Sequence, residues 1–276
     1  MNQTAAWAQE YRAGASVRAI GQKHGVYGQL VWSRLKRAGI EMRSLEAAIR
    51  KEPIRLDAFS GELTRDDAYW LGLLYADGSI SVAKKTGFDV LSLVAHSDDE
   101  ESIVGFLAHL GLSGPLIRRK DKRAVSTAVT SKTISQRLRA LGIVPSKTHS
   151  ITFPQFLSQP LIRHFVRGYF DGDGSIYSKT PRRYVTPQFT VQFTGNPKFI
   201  AGLSDAVERE TGLQKSSRYV KPGGRTVSHR YEGRLRLMKL SDWLYSDGGP
   251  FLSRKKSILA AVAGEIAERK AQGTLR

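Results

Sequence analysis

Trp70-Leu-Gly-Leu-Leu-Tyr-Ala-Asp-Gly-Ser-Ile80 and Val166-Arg-Gly-Tyr-Phe-Asp-Gly-Asp-Gly-Ser-Ile176 align without a gap, and both end in Asp-Gly-Ser-Ile. An internal repeat of this kind is the first thing to settle, because each copy implies one structural unit. Gly72 and Ala76 stand four residues apart in the first copy, as Gly168 and Gly172 do in the second. On a helix that spacing puts small side chains on one face, where another backbone can approach closely. The segments after the two copies share one plan. A short strand leads to a second, apolar one (88–95; 189–194) and then to a helix starting at Ser97 or at Asn196-Pro197. These helices stop at Gly111-Leu112 and Gly212-Leu213, hairpins come next near 116–129 and 217–237, and each half closes with helices and a lysine, in Pro145-Ser-Lys147-Thr and Ser253-Arg-Lys255-Lys. The sequence therefore predicts an α+β fold, a duplicated αββαββα arrangement with pseudo-twofold symmetry. Its repeats are set at 63–152 and 153–276.

Composition bounds what such a fold could do. The chain has 276 residues, 41% of them hydrophobic, enough to fill real cores. Lys and Arg outnumber Asp and Glu by 43 to 25, giving a net charge of +18. Such a balance calls for a polyanionic partner, since positive charge steers a polyanion inward and gains from released counterions. A membrane surface is disfavoured: no apolar run approaches the roughly 20 residues of a spanning helix, and the basic residues are dispersed rather than gathered on one amphipathic helix. The start, MNQTAAWAQEYRAG, has no apolar signal core. The absence of cysteine excludes disulfides and thiolate metal sites and suits a cytoplasmic location, with a bacterial or phage-encoded origin expected.

Ahead of the repeats, residues 4–40 read as three short helices, in a domain set at 1–44. Gly14 closes the first, Ser16 caps the second, and Gly25-Val26-Tyr27 turns the chain into a third, with Val31 and Leu35 inside and Gln29, Ser33, Lys36 and Arg37 outside. Trp32 fits either the core or a groove-facing position. Two helices joined by a Gly-containing turn form the helix-turn-helix plan, whose second helix enters the DNA major groove. The stretch resembles the small DNA-binding domains of resolvases and invertases. A packed helical hairpin with a basic face is the plainer alternative. Residues 45–62, interrupted by Pro53 and Gly61, read as a linker with a helical turn or two near Leu45–Arg50. Thr64 and Asp67 then form a capping box with Asp in place of Glu.

If the two motif helices pack through their small-residue faces, their C-terminal ends meet and Asp77 lies beside Asp173. Carboxylates are unfavourable there, because a helix C-terminus carries partial negative charge and like charges raise each other's pKa. Ionised aspartates at such a place need a cation, and oxygen ligands suit Mg²⁺, which can activate water and neutralise charge on a phosphate. A single Asp-Gly after a helix reads equally well as a structural stop, but two copies in matched contexts favour chemistry. A calcium loop is excluded: Ile176 stands where glycine is needed, and Arg182 where Glu is required. Asp98-Asp99-Glu100 come after Ser97 in the first turn of a helix, where negative charge is stabilising, and they are given no chemistry. Of the six histidines, His149 and His229 are expected on the surface or against DNA.

Taken together, the paired motifs and duplicated plan resemble the LAGLIDADG homing endonucleases in their single-chain, two-motif form, over about residues 62–270. The resemblance implies a site-specific double-strand DNA endonuclease, with the penultimate acids of the motifs, Asp77 and Asp173, binding divalent metal together with their preceding residues, Ala76 and Gly172. It implies Mg²⁺, with Mn²⁺ or Ca²⁺ able to occupy the same site. A late lysine in each repeat maps to Lys147 and to Lys255, with Lys256 as a rival. Gln192 is the candidate for positioning water. Tyr75 departs from the motif, which has Asp there as the second copy does at Asp171. That position is read as structural.

Two twisted sheets flanking a central helix pair make a saddle, and the basic residues then mark the face that meets DNA. Arg230, Arg234 and Arg236, with Leu235 and Leu237 between them, read as one strand with a cationic face. Arg118, Arg119, Lys120, Lys122 and Arg123 are placed similarly in the first repeat, and Lys179, Arg182, Arg183, Arg218, Lys221 and Arg225 in the second. The expected partner is double-stranded DNA with a long asymmetric target, bound by a monomer that needs no protein partner. Two other readings stay open on the sequence: a non-catalytic DNA-binding transcription regulator, or an intron RNA maturase on the same scaffold. The gene's setting, in an intron or a phage, is not written in the chain.

Overall fold

Gly14 and Gly25, both at positive φ (106° and 68°), divide the N-terminal sequence into helices α1 (Gln3–Arg12), α2 (Val17–Lys23) and α3 (Gly28–Arg37). Only glycine adopts that backbone at little cost. Ser16 caps α2 by accepting the Ala19 N–H at 3.0 Å. A Cβ on Gly21 would lie 2.6 Å from the Val26 carbonyl, so the turn into α3 folds tightly onto α2. Trp7, Tyr11, Ile20, Val31 and Leu35 form the core of this unit. On α3, Gln29, Lys36 and Arg37 are exposed, whereas Ser33 is half-buried and donates to the Leu30 carbonyl at 3.0 Å. Trp32 is half-buried beneath the Lys36 ammonium, 4.8 Å from its ring centroid.

The structure is a computed structural model that describes residues 3–43, 53–84, 86–145, 147, 150–180 and 187–271, and the chain divides into the units Met1–Pro53 and Ile54–Arg276. The helical turn expected near Leu45–Arg50 lies outside the described residues. Part of the expected linker is core instead: Ile54, Ala58 and Phe59 are buried in the larger unit. The cause is Asp67, whose carboxylate accepts the Phe59 N–H (3.1 Å), the His109 imidazole (2.9 Å) and the Thr64 N–H (3.0 Å), pinning this segment onto the next helix.

That helix, α4 (Arg65–Asp77), carries the first motif and opens on the capping box between Thr64 and Asp67. It leads through β1 (Gly78–Val82), β2 (Asp89–His96), α5 (Glu100–His109), β3 (Ile117–Arg119) and β4 (Ala124–Thr130) to α6 (Lys132–Ala140). The second repeat runs α7 (Gln159–Asp173), β5 (Gly174–Lys179), β6 (Gln188–Gly195), α8 (Pro197–Thr211), β7 (Ser217–Val220), β8 (Val227–Glu232) and α9 (Arg234–Tyr245), and closes on α10 (Ser253–Ala271). Gly111 and Gly212, at φ 73° and 69°, end α5 and α8 where glycine permits the left-handed turn. Each repeat builds an antiparallel sheet of the same topology, β1-β2-β4-β3 and β5-β6-β8-β7.

One expected strand is a helix. The Arg234–Leu237 stretch alternates charge and leucine for four residues, but Leu237, Leu240 and Leu244 are all buried, a helical spacing. Gly233, at φ 92°, ends β8 and starts α9. Arg234 and Arg236 are therefore helix residues, and the latter donates to Ser216 Oγ at 2.9 Å.

Candidate active site

Helices α4 and α7 meet through the glycines that the repeat singled out. A Cβ on Gly72 would lie 2.0 Å from the Phe165 carbonyl oxygen, and one on Gly168 would lie 1.9 Å from that of Tyr69. Each glycine thus faces the carbonyl three residues ahead of its counterpart, which is the reciprocity a pseudo-twofold contact demands. Further along, a Cβ on Gly172 would lie 2.3 Å from Ala76 Cβ and 2.9 Å from Asp77 Oδ2. The close approach carries both helix ends, and so Asp77 and Asp173, to one place.

Both carboxylates are exposed at the helix ends, although the surrounding protein takes part of their hydration shell. A cavity of about 250 Å³ opens beside Asp77, bordered by Leu73, Val94, Asp99 and Gly172. Desolvation, then the charge of Asp173, pushes Asp77 up to about 6, against the pull of Lys255 and Lys147. Asp173 is also raised by desolvation, opposed by Lys147 and Lys255. These are carboxylates whose ionised form is disfavoured, with cations nearby. Among the described residues no three His, Cys, Asp or Glu side chains gather as metal ligands. A cation at this place would take the two carboxylates and complete its shell with carbonyl, water or phosphate oxygens, a donor set that fits a hard ion such as Mg²⁺.

The two lysines are placed differently. Lys147 Nζ donates to the Ala76 carbonyl at 2.9 Å. Lys255 Nζ lies against four carbonyls at the end of α7, those of Phe170 (2.6 Å), Asp171 (2.7 Å), Gly172 (3.1 Å) and Gly174 (2.6 Å). An ammonium has three protons, so Lys255 is fully engaged as a helix cap, whereas Lys147 spends one donor, on Ala76, among the described residues. Its rival Lys256 instead sits over Phe251, 3.7 Å from the ring centroid. Burial lowers Lys255 to about 8, offset in part by Asp171. It also lowers Lys147. The start of α10 is fastened to the first repeat by Arg254, paired with Asp99 at 2.7 Å, and by Ser253, whose N–H and hydroxyl bond Glu101. Thus Asp99 and Glu101 are structural clasps. Lys255→Met should strand several carbonyls and cost about 2–4 kcal/mol in a denaturant melt, against about 1 for Lys147→Met; equal losses would contradict this difference.

The carbonyls of Ala76 and Gly172 each accept one lysine proton and retain a second lone pair. Tyr75 and Asp171, the mismatched pair of the motif, are both structural in their contacts. Tyr75 donates to the Leu141 carbonyl at 2.7 Å, and Asp171 accepts from Tyr69 (2.8 Å), Tyr245 (2.9 Å) and the Leu252 N–H (2.8 Å).

The sheet faces correct several expectations. Arg118 and Arg218 pair in register with buried Val125 and His229, which puts both on the core side of their strands, and Arg118 is bonded to Glu100 at 2.6 Å. Arg119 pairs with Ala124 on the outward face. Lys120 and Lys122 form the turn of the hairpin, with Arg123 at φ 46°. Arg182 and Arg183 lie outside the described residues, as does His149. His229 is buried, facing the core beside Phe193, and burial lowers it to about 4. Gln192 faces outward, where Oε1 accepts from Arg230 Nε at 2.9 Å and the amide donates to Thr194 at 3.1 Å. Sequence reasoning missed Tyr169, one helical turn before Asp173, whose hydroxyl donates to the Thr194 carbonyl at 2.7 Å. Its i, i+4 spacing to the acid was the available signal.

No protein-family model matches the sequence. A curated relative, the probable translation initiation factor IF-2 of Methanocaldococcus jannaschii, is 27% identical over 142 residues, covering 49% of this chain and 11% of that protein. The chain therefore spans about a tenth of the length of the curated relative it matches. Among solved structures, the meganuclease I-SmaMI bound to uncleaveable DNA superposes with TM-score 0.53 at 13% identity, covering 78% of this chain and 94% of its own. The LAGLIDADG homing endonuclease I-GzeII in complex with its DNA target gives TM-score 0.53 at 11% identity, with the same coverages. I-LtrWI, bound to target DNA, gives 0.52 at 11%, covering 75% and 91%. The chain has the LAGLIDADG homing endonuclease fold.

Proposed function

We propose that the protein is a site-specific endonuclease that hydrolyses both strands of duplex DNA with a divalent cation, Mg²⁺ in the cell, held by Asp77 and Asp173. The observation that carries this is the pair of raised carboxylates at helix ends forced together by Gly72 and Gly168, with two buried ammoniums beside them. A structural helix stop would not concentrate opposed charge in this way, and it would not be duplicated. The +18 charge and the DNA-bound state of the similar structures support duplex DNA as substrate. When bound, the cation would lower the pKa of a water and neutralise phosphate charge. The chain's own part is to aim the carboxylates and place the Lys147 ammonium where the phosphate gains charge. The N-terminal helices would extend the contact as a helix-turn-helix, presenting Gln29, Lys36 and Arg37 from α3, and would raise affinity through effective concentration. The two halves in one chain favour a monomer on an asymmetric site.

The test is selection of bound duplexes from a randomised library, followed by incubation of the recovered site with Mg²⁺ or with chelator. Double-strand cleavage in Mg²⁺ alone is expected. Tight, specific binding with no metal-dependent cleavage would leave a regulator and overturn the reading.

A further inference from the structure

The repeats that match so closely at their acids differ on the sheet faces turned away from the core. Register makes the comparison direct. In the first repeat Ser79 pairs with Ser92, and Ser92 with Ala128. At the corresponding places in the second, Ser175 pairs with Gln192, and Gln192 with Arg230. The same rung therefore reads Ser-Ser-Ala in one sheet and Ser-Gln-Arg in the other.

Arg230 is not a loose surface cation. Its Nε is spent on Gln192 Oε1, at 2.9 Å, and its guanidinium carbon stands 5.3 Å from the centroid of the Tyr219 ring. Gln192 is itself fixed, because its amide donates to Thr194 Oγ1, which is bonded to Ser228 Oγ at 2.8 Å. Among the described residues these partners hold the guanidinium plane and leave its two terminal nitrogens as a fork of parallel donors. A fork of that shape matches guanine, which presents O6 and N7 side by side in the major groove. A phosphate contact needs no such preparation, and Lys179 or Lys221 would serve as well.

Resting on the reading of this chain as a DNA-binding nuclease, we infer that Arg230, set by Gln192 and Tyr219, reads a guanine in the half-site under the second repeat, and that the first repeat has no counterpart. Gln192 is then a positioning residue for base recognition. The target is asymmetric at this rung: one half requires a G·C pair in a defined orientation, and the other tolerates substitution at the mirrored place.

The experiment is parallel selection from a randomised 30-base-pair duplex library, in Ca²⁺ and without metal, using wild type, Arg230→Ala and Arg230→Lys, with thermal melts confirming that each variant is folded. Wild type should return a motif with an invariant guanine in one half. Arg230→Ala should return the same motif with that one position relaxed, discrimination falling about tenfold or more. Arg230→Lys should keep affinity yet lose most of the discrimination, since an ammonium cannot form the fork. An unchanged motif in Arg230→Ala, or binding weakened evenly at every position, would overturn the inference and leave the nuclease reading intact. Failure of the wild type to return any motif would overturn both. A motif with the guanine but no cleavage in Mg²⁺ would overturn the nuclease alone.

Discussion

Asp77→Asn or Asp173→Asn abolishes double-strand cleavage, lowering its rate by roughly 10³-fold or more, while affinity for the selected site stays close to wild type. The expected size comes from losing a metal ligand and with it several kcal/mol of charge stabilisation in the transition state. The same substitutions have a second consequence that a structural role would not produce. Both carboxyl pKa values are raised in the folded chain, so without metal the ionised forms oppose folding. For a carboxyl whose folded pKa lies above its unfolded value, this penalty is absent below the unfolded pKa, near 4, and fully present above the folded one, about 6 for Asp77. At neutral pH without metal, the double Asn variant should therefore melt no lower than wild type. Added Mg²⁺ should raise the wild-type melting temperature and leave the variant unmoved. The affinity of the free protein for cation should fall as pH drops below about 6, because the proton competes for the ligand. Cleavage at wild-type rate by either single variant would show that the metal site is wrong.

The sequence made the motif helices, the order of elements and both acids legible because each was written twice, and matched contexts separate a recurring device from a common turn. The small residues at 72 and 168 gave the reason for contact before any coordinate did. What it hid was decided by partners distant in the chain. Whether Lys255 or Lys256 faces the site depends on the roll of α10, which Arg254 and Ser253 set by reaching Asp99 and Glu101 some 150 residues earlier. Whether Arg118 meets DNA depends on strand register, and pairing with Val125 turns it toward Glu100 instead. A four-residue alternation in 234–237 matched a strand, but the longer spacing of buried leucines belonged to a helix. A short window cannot tell the two apart. His229 shows the same limit: it is expected on the surface or against DNA, and only its pairing with buried Phe193 identifies its face as the core.

The second large effect is on the contact that creates the site. Gly168→Ala places a Cβ 1.9 Å from the Tyr69 carbonyl oxygen and 2.9 Å from the Leu73 nitrogen. These are backbone atoms of a buried helix, so no side chain can yield and α4 and α7 must move apart. The expected cost is about 3 kcal/mol, at the upper end of overpacking effects, which corresponds to a fall of roughly 6–12 °C in melting temperature for a unit of this size. Gly264→Ala is the matched control. It lies in α10, exposed, with nothing among the described residues within 4 Å of the new methyl, so helix propensity alone should leave it neutral or stabilise it by about 0.5–1 kcal/mol. The two alanines thus have opposite signs although each adds one methyl to a helix. Activity should track the helices, because a shift of about 1 Å between Asp77 and Asp173 would cost on the order of a hundredfold in rate, even at temperatures where the variant is fully folded. Equal melting of the two variants would mean that the glycine pair does not hold the acids together. The proposed metal site would then need another explanation for its geometry.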